Sequence, residues 1–246
     1  MACSVSPKST ILITGAARRI GAAIATAAAT RGMNVIIHYN TSETEAENLA
    51  QSLTNNSVWA KTLQADLTKD SECGSLIDRA QTLCSGSLYL LVNNASVYPA
   101  DSITQAAFDN FADSFRLNAY APLCLSRAFA KSVQAGSIVN ILDNRIYSGD
   151  PAHFSYMLSK QALASITLAC ALDFAPRIRV NGVAPGLSLP PAGHTGEYLD
   201  KLKHTIPLGA HVTPRNIADT VLFCAENKSL TGEIIVVDSG RQLLCR

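Results

Sequence analysis

Thr10-Ile11-Leu12-Ile13-Thr14-Gly15-Ala16-Ala17-Arg18-Arg19-Ile20-Gly21 is a short apolar run, then a glycine-bearing turn, then the start of an alanine-rich periodic segment. An apolar, β-branched run of this length suits a strand buried on both faces, and the segment after the turn reads as a helix. The N–H groups at such a helix start, together with the helix dipole, favour a pyrophosphate. Gly15 permits the tight turn and Gly21 lets helix and strand pack closely. As a bare motif it fits an ordinary βα turn equally well. Its place at the head of a longer pattern favours the phosphate-binding reading.

That pattern is an alternation. Segments 10–14, 34–38, 58–64, 88–92, 137–142, 179–184 and 233–237 read as strands, and 19–31, 44–53, 71–83, 105–132, 153–174 and 214–225 as helices. The last helix has a clear start, with Thr213 as N-cap and Pro214 at the first helical position. No linker-like composition break or internal repeat interrupts the series. The expected fold is therefore α/β: a single doubly wound Rossmann-type domain over 1–246, its sheet of about seven parallel strands covered by helices on both faces. The Gly/Pro-rich stretch 185–196 follows the sixth strand, where such folds place ligand-covering loops, so a mobile flap is expected there.

Composition narrows the partners. With 246 residues and 48% hydrophobic content the chain can bury a sizeable core, and a net charge of +1 gives no electrostatic footprint for nucleic acid or an anionic membrane. No apolar stretch reaches the roughly 20 residues that span a bilayer, and 1–8 contain no apolar leader. The seven cysteines include no Cys-x-x-Cys and no histidine pair at metal-ligand spacing, so reduced thiols, a cytoplasmic location and no metal are expected. The expected partner is a small molecule.

The second strand ends in His38-Tyr39-Asn40-Thr41-Ser42, with no acidic residue before Glu43. An NAD site normally places Asp or Glu here to hold the ribose 2′-hydroxyl, whereas a 2′-phosphate is repelled by it. NADP(H) is favoured, with Arg18, His38 and Ser42 as phosphate contacts, although His38 also reads as an ordinary strand-end residue. Arg19 stands where a third glycine is common, and beside Arg18 it would add charge-assisted donors. Asp66, after the third strand, either accepts from the adenine amino group or caps the turn.

Thr14 to Gly21, Asn93-Asn94-Ala95, Asn118, Tyr156-x-x-x-Lys160 and Pro185-Gly186 together resemble the short-chain dehydrogenase/reductase family, in order and over nearly the whole chain. The Thr-Gly-x-x-Arg-Arg-x-Gly turn, His38-Tyr39, Asn94 to Ser96, Gly186 to Ser188 and Asp143 look like its pteridine and dihydromonapterin reductases. The resemblance assigns Gly15, Ile20, Gly21, Asn94, Ala95, Pro185 and Gly186 to the cofactor, with Tyr39, Asn40 and Leu67 at the strand ends. It implies that Lys160 also holds the nicotinamide ribose and that Asn118 supports a water beside it. Departures remain: the loop from Ser96 to Pro99 is one residue shorter than in some members, and the segment at Thr41 lacks their arginine.

Tyrosine, with an ordinary pKa near 10, is a poor acid at neutral pH, and a nearby lysine cation is expected to bring it down. Lys160 lies one turn beyond Tyr156 on the same helix face, a pair that otherwise reads as a solvated surface. Carbonyl reductases of the family carry a serine where Asp143 stands. A carboxylate there would repel a developing alkoxide, but it suits a ring C=N of a dihydropterin, with the proton passing through Asp143 and Tyr156. Asp143 also fits a simple cap of the Asn144-Arg145 turn. Tyr98 occupies an often aromatic position and either stacks on the pterin or serves as a lid. Ser96 and Arg19 would meet the pterin's polar edge, and Ser188 the cofactor carboxamide or phosphates.

Two rival readings are a carbonyl reductase of the 3-oxoacyl thioester type and a non-catalytic NADPH-binding sensor. Asp143 and Arg19 argue against the first; Asn118, Tyr156 and Lys160 argue against the second. The resemblance further implies a homotetramer, and 105–132 and 153–174, apolar on more than one face, read as its interface helices, with 241–246 expected to close over a neighbouring subunit.

Overall fold

The computed structural model describes residues 9–55, 57–84, 88–148, 150–190 and 197–244. Seven strands, β1 (Thr10–Ile13), β2 (Asn34–Tyr39), β3 (Ala60–Gln64), β4 (Leu88–Asn93), β5 (Gly136–Ile141), β6 (Ile178–Pro185) and β7 (Ile234–Val237), form one sheet in the order β3-β2-β1-β4-β5-β6-β7. Every pairing is parallel, so each connection is a crossover that lays a helix on one face. Strand order reverses between β1 and β4, which opens a crevice beyond their carboxyl ends.

Strand periodicity divides the core. Ile11 and Ile13 of β1 face a cluster with α1 (Arg19–Thr30) and α8 (Pro214–Glu226), whereas Leu12 faces one with α3 (Asp70–Leu83) and α5 (Ala121–Ser132). The small side chains of Ala25 and Ala28 bring α1 close to the first cluster, with Val221 and Leu222 of α8 in the same core. The start of α8 is capped as expected: Thr213 Oγ1 accepts from the Asn216 N–H and Asn216 Oδ1 accepts from the Thr213 N–H. The remaining helices are α2 (Glu43–Leu53), α4 (Phe108–Phe115), α6 (Phe154–Asp173) and α7 (Glu197–Leu202). No helix among the described residues is long and apolar enough to cross a membrane.

The expected helix 105–132 is not one regular helix. It begins at Phe108, after a turn in which Ser102 O accepts from the N–H groups of Gln105 and Ala106, and a π-helical turn over Arg116–Tyr120 separates α4 from α5. Pro122 is the cause: it has no N–H to return to the Asn118 carbonyl four residues back. The wider turn carries Asn118 into the interior, where it is fully buried. Of the expected flap, 191–196 lie outside the described residues, and α7 follows them; of the C-terminal segment, 245–246 lie outside.

Candidate active site

A cavity of about 800 Å³ occupies the crevice. It brings together the glycine turn, the ends of β2 and β3, Asn94 to Tyr98, Asp143, Tyr156, Lys160 and Pro185 to Ser188. Of the residues expected at the site, Asn118 alone does not line it.

The cofactor end is built from backbone. Gly15 has φ +60°, and a Cβ there would lie 3.0 Å from Ala95 Cα; a Cβ on Gly21 would lie 2.5 Å from the Gly15 carbonyl oxygen. These two glycines let the turn pack directly against the segment after β4 and against its own start, which a side chain at either position would force apart. Thr14 Oγ1 accepts from the N–H groups of Asn94 (2.9 Å) and Ala95 (3.0 Å), and Asn94 Nδ2 donates to the carbonyls of Thr14 (2.9 Å) and Gly15 (3.0 Å). Arg19 has φ +57°, which explains why glycine is common at this position, and its guanidinium reaches across to donate to the Pro190 carbonyl at 2.9 Å.

His38 has a different role from the one expected. Its Nδ1 accepts from the Gly15 N–H at 3.0 Å, and its Nε2 lies 3.1 Å from the Ala65 carbonyl, which assigns the proton to Nε2. Burial lowers its pKa from 6.5 to about 4. The imidazole is a neutral brace with both nitrogens engaged, and it has no donor left for a phosphate. Gly15 N–H and Ala16 N–H are both used on His38, so the N–H groups that remain for a phosphate are those at the α1 start, which lack intrahelical partners.

Farther out, Arg18 is solvent-exposed and pairs with Glu45 at 3.2 Å. The Ser42 side chain makes no cap bond to α2, whereas the Tyr39 hydroxyl donates to Glu43 at 3.1 Å. Asn40 and Leu67 line this end. Asp66 Oδ1 accepts from Thr68 N–H (3.0 Å) and Oγ1 (2.7 Å), so the cap role is realised. On the opposite wall Ser188 Oγ is buried with no hydrogen-bond partner among the described residues. An orphaned buried hydroxyl in the wall of the cavity, facing the N-terminus of α1, fits a polar ligand such as a dinucleotide.

At the other end β5 delivers Asp143 and α6 delivers Tyr156 and Lys160. The Tyr156 hydroxyl donates to Asp143 Oδ2 at 3.1 Å. Burial, then the Asp143 carboxylate, pushes the phenol well above its ordinary pKa, opposite to the lowering expected from Lys160. Lys160 Nζ donates to the Ile141 carbonyl at 2.8 Å, and burial brings the ammonium down to about 8. Tyr156 is thus a held proton donor. Burial alone would raise the Asp143 carboxyl, but Arg145 and Tyr156 hold it below the ordinary carboxylate range. It also caps the following turn by accepting from the Arg145 N–H at 2.9 Å, so the cap and the active-site placement coexist.

Asn118 acts through its neighbours. Its Oδ1 accepts from Val97 N–H (2.9 Å) and Ser96 Oγ (3.0 Å), and its Nδ2 donates to Val97 O and Ser159 Oγ, both at 3.0 Å. That amide is saturated by protein groups, so its side chain ties the Ser96–Val97 loop to α6. Tyr98, 44% exposed, stacks one face on His153 (ring centroids 3.8 Å apart) and meets Tyr156 edge-on at 4.6 Å. Sequence reading missed Arg145, Asp150, His153, Tyr198 and Arg241. Arg145 was visible only as a turn residue, and nothing in the spacing joins the rest to the site.

The family model described as Enoyl-(Acyl carrier protein) reductase matches residues 15–242. Pteridine reductase 1 of Leishmania tarentolae is 33% identical, over 94% of this chain and 96% of that protein. Dihydromonapterin reductase of Enterobacter sp. (strain 638) is 28% identical over 97% and 98%. The crystal structure of FolM Alternative dihydrofolate reductase 1 from Brucella canis, complexed with NADP, superposes with a TM-score of 0.88 at 35% identity, covering 99% of this chain and 96% of that one.

Proposed function

The chain belongs to the short-chain dehydrogenase/reductase family, and from that membership we propose that it is an NADPH-dependent reductase of a ring C=N in a reduced pterin of the dihydromonapterin, dihydrobiopterin or dihydrofolate kind. The observation that carries this reading is the Tyr156 hydroxyl donating to an ionised Asp143 within the cavity. A carbonyl substrate needs a neutral donor at that position, because an alkoxide forming beside a carboxylate is destabilised by like charge. A pterin presents N–H groups that a carboxylate accepts. The names of the relatives support the same substrate class.

NADPH, when bound, supplies hydride to the ring carbon. Gly15, Gly21, the α1 N-terminus, Ser188 and Lys160 would hold it, and Arg18 and Ser42 would face the 2′-phosphate. Tyr156 delivers the proton, the ionised Asp143 orients it, and the phenolate left behind is reprotonated from solvent before the next turnover. A ring nitrogen that has gained negative charge in a buried site is strongly basic, so even a phenol of raised pKa transfers to it favourably. Tyr98 borders the pterin, with His153 backing its other face. Ser96 and Arg19 stand at the cavity wall beside the pterin's polar edge. Phe108, Leu168 and Leu172 are exposed on α4 and α6, which supports assembly into a homotetramer through these helices.

The test is a substrate panel with both nicotinamide cofactors. NADPH oxidation in the presence of dihydrobiopterin, dihydromonapterin or dihydrofolate is expected, with NADH much poorer. No turnover on any of the three, alongside turnover of an acetoacetyl thioester, overturns the reading in favour of a carbonyl reductase.

A further inference from the structure

Asp143 is held more completely than proton chemistry with Tyr156 alone requires. Arg145 Nε donates to Oδ1 at 2.9 Å and Nη2 to Oδ2 at 2.8 Å, a two-pronged contact in which both carboxylate oxygens are engaged. The Arg145 backbone N–H adds a bond to Oδ1 at 2.9 Å, and the Tyr156 hydroxyl occupies Oδ2 at 3.1 Å. A carboxylate has about four acceptor sites, so all of them are taken. On its far side the guanidinium makes a short Nη1 contact to Asp150 Oδ2, and Nη1 also donates to the Tyr98 hydroxyl at 3.1 Å. Asp150 is anchored in turn by accepting from the Ala152 N–H at 2.8 Å.

We infer that Arg145 is a positioning residue of the reaction: its fork sets the plane of the Asp143 carboxylate, Asp150 sets the fork, and Oδ2 is thereby aimed at the Tyr156 hydroxyl. The inference rests on the pterin-reductase reading, because it concerns that reaction's proton-delivering pair. Of the four donors on Asp143, three belong to Arg145 and one to Tyr156. A substrate N–H reaches Oδ2 most readily by displacing the phenol, which is then free to turn toward the ring nitrogen. Substrate binding and release of the donor become one event.

The charged and titratable groups around Asp143 are Arg145 and Asp150 on the turn, Tyr156 and Lys160 on α6, and Tyr98 on the loop after β4. With Arg145 removed, burial favours the neutral carboxyl, and the ionised form is lost at a higher pH on the acid side.

Arg145→Met, Arg145→Lys and Asp150→Asn test the inference through the pH dependence of kcat/KM and the carboxyl titration of Asp143 followed by 13C NMR. In Arg145→Met the acid limb is expected to rise by about 1–3 pH units, and kcat to fall by up to about 100-fold, with NADPH affinity unchanged. Arg145→Lys should keep the limb near its original place without restoring kcat, because a point charge cannot set the carboxylate plane. Asp150→Asn should lower kcat by a smaller factor. A limb that stays put in Arg145→Met overturns the inference, whether kcat is retained or falls together with thermal stability. If wild-type protein turns over no dihydropterin, the proposed function fails instead. The Asp143 carboxyl then decides for Arg145 separately, since it must still titrate higher in Arg145→Met than in wild type. Should Arg145→Met fail to fold, an Asp150→Asn protein with wild-type kcat overturns the inference.

Discussion

The two ends of the cavity are built on opposite principles. At the glycine turn, recognition comes from backbone: Gly15 and Gly21 let the turn pack closely, Thr14 and Asn94 tie it to β4, and the His38 imidazole that braces it is held neutral. At the Asp143 corner, backbone only delivers side chains, and an ionised carboxylate, a guanidinium, a phenol and an ammonium do the rest. A phosphate needs many weak, fixed donors and no chemistry, whereas proton transfer needs a few groups whose charge states are set by one another. Binding and chemistry should therefore be separable by mutation.

The largest expected effect tests that separation directly. Tyr156→Phe keeps the ring and its edge contact with Tyr98 but removes the proton. We expect kcat for dihydropterin reduction to fall by about 10²- to 10⁴-fold, with NADPH affinity and melting temperature close to wild type. Stopped-flow turnover and NADPH fluorescence titration read the two quantities independently. A parallel loss of NADPH binding would show that the two ends are energetically one site.

A second effect, of a few kcal/mol, belongs to the backbone end. His38 has its pKa lowered from 6.5 to about 4, chiefly by burial. The unfolded chain takes up a proton as pH falls below the ordinary value, and the folded chain does so only near the lowered one. Stability is thus fully present above 6.5 and is lost progressively as pH falls toward about 4. The difference corresponds to roughly 3 kcal/mol at 1.36 kcal/mol per pH unit. Denaturant titrations of wild type and His38→Asn across this range should converge as pH falls, because the variant has no imidazole to protonate. Parallel curves would mean that His38 is not a neutral brace.

The same contrast explains what was legible in the sequence. The fold was readable because each strand is a local run whose neighbours repeat one pattern, and the cofactor turn was readable because the positive φ of Gly15 and the close approach of Gly21 to the Gly15 carbonyl are both set within a few residues. Asp143, Tyr156 and Lys160 were also found, two of them one helical turn apart. The hold on Asp143 was not found, since it joins Arg145 to Asp150 across a turn and to Tyr98 from a distant loop, and no spacing rule links them. The phenol's pKa was misread for the same reason. Lys160 is near Tyr156 in sequence, but its ammonium is turned to the Ile141 carbonyl, so burial and Asp143 decide the phenol's pKa. The π-helical turn at Asn118 depended on reading Pro122 as a missing donor rather than as a residue early in a helix.

The smallest expected effect concerns the one place where the backbone end does use charge. Arg18, a candidate for the 2′-phosphate, is paired with Glu45, and both side chains are largely exposed, at 62% and 46%. An exposed pair of this kind is worth about 0–1 kcal/mol, so it restrains Arg18 only weakly. Glu45→Gln removes both the competitor for the guanidinium and a negative charge from the neighbourhood of the phosphate. NADPH should then bind about two- to fivefold more tightly at low salt, the range such a pair allows. NADH, which lacks the phosphate, should bind as before, and the gain should fade as salt screens the exposed charges. Equal tightening toward both cofactors would place Arg18 on the shared part of the dinucleotide rather than on the 2′-phosphate. No change at low salt would mean that selectivity for the phosphate, like the rest of this end, resides in backbone and hydroxyl groups, with Ser42 the first to examine.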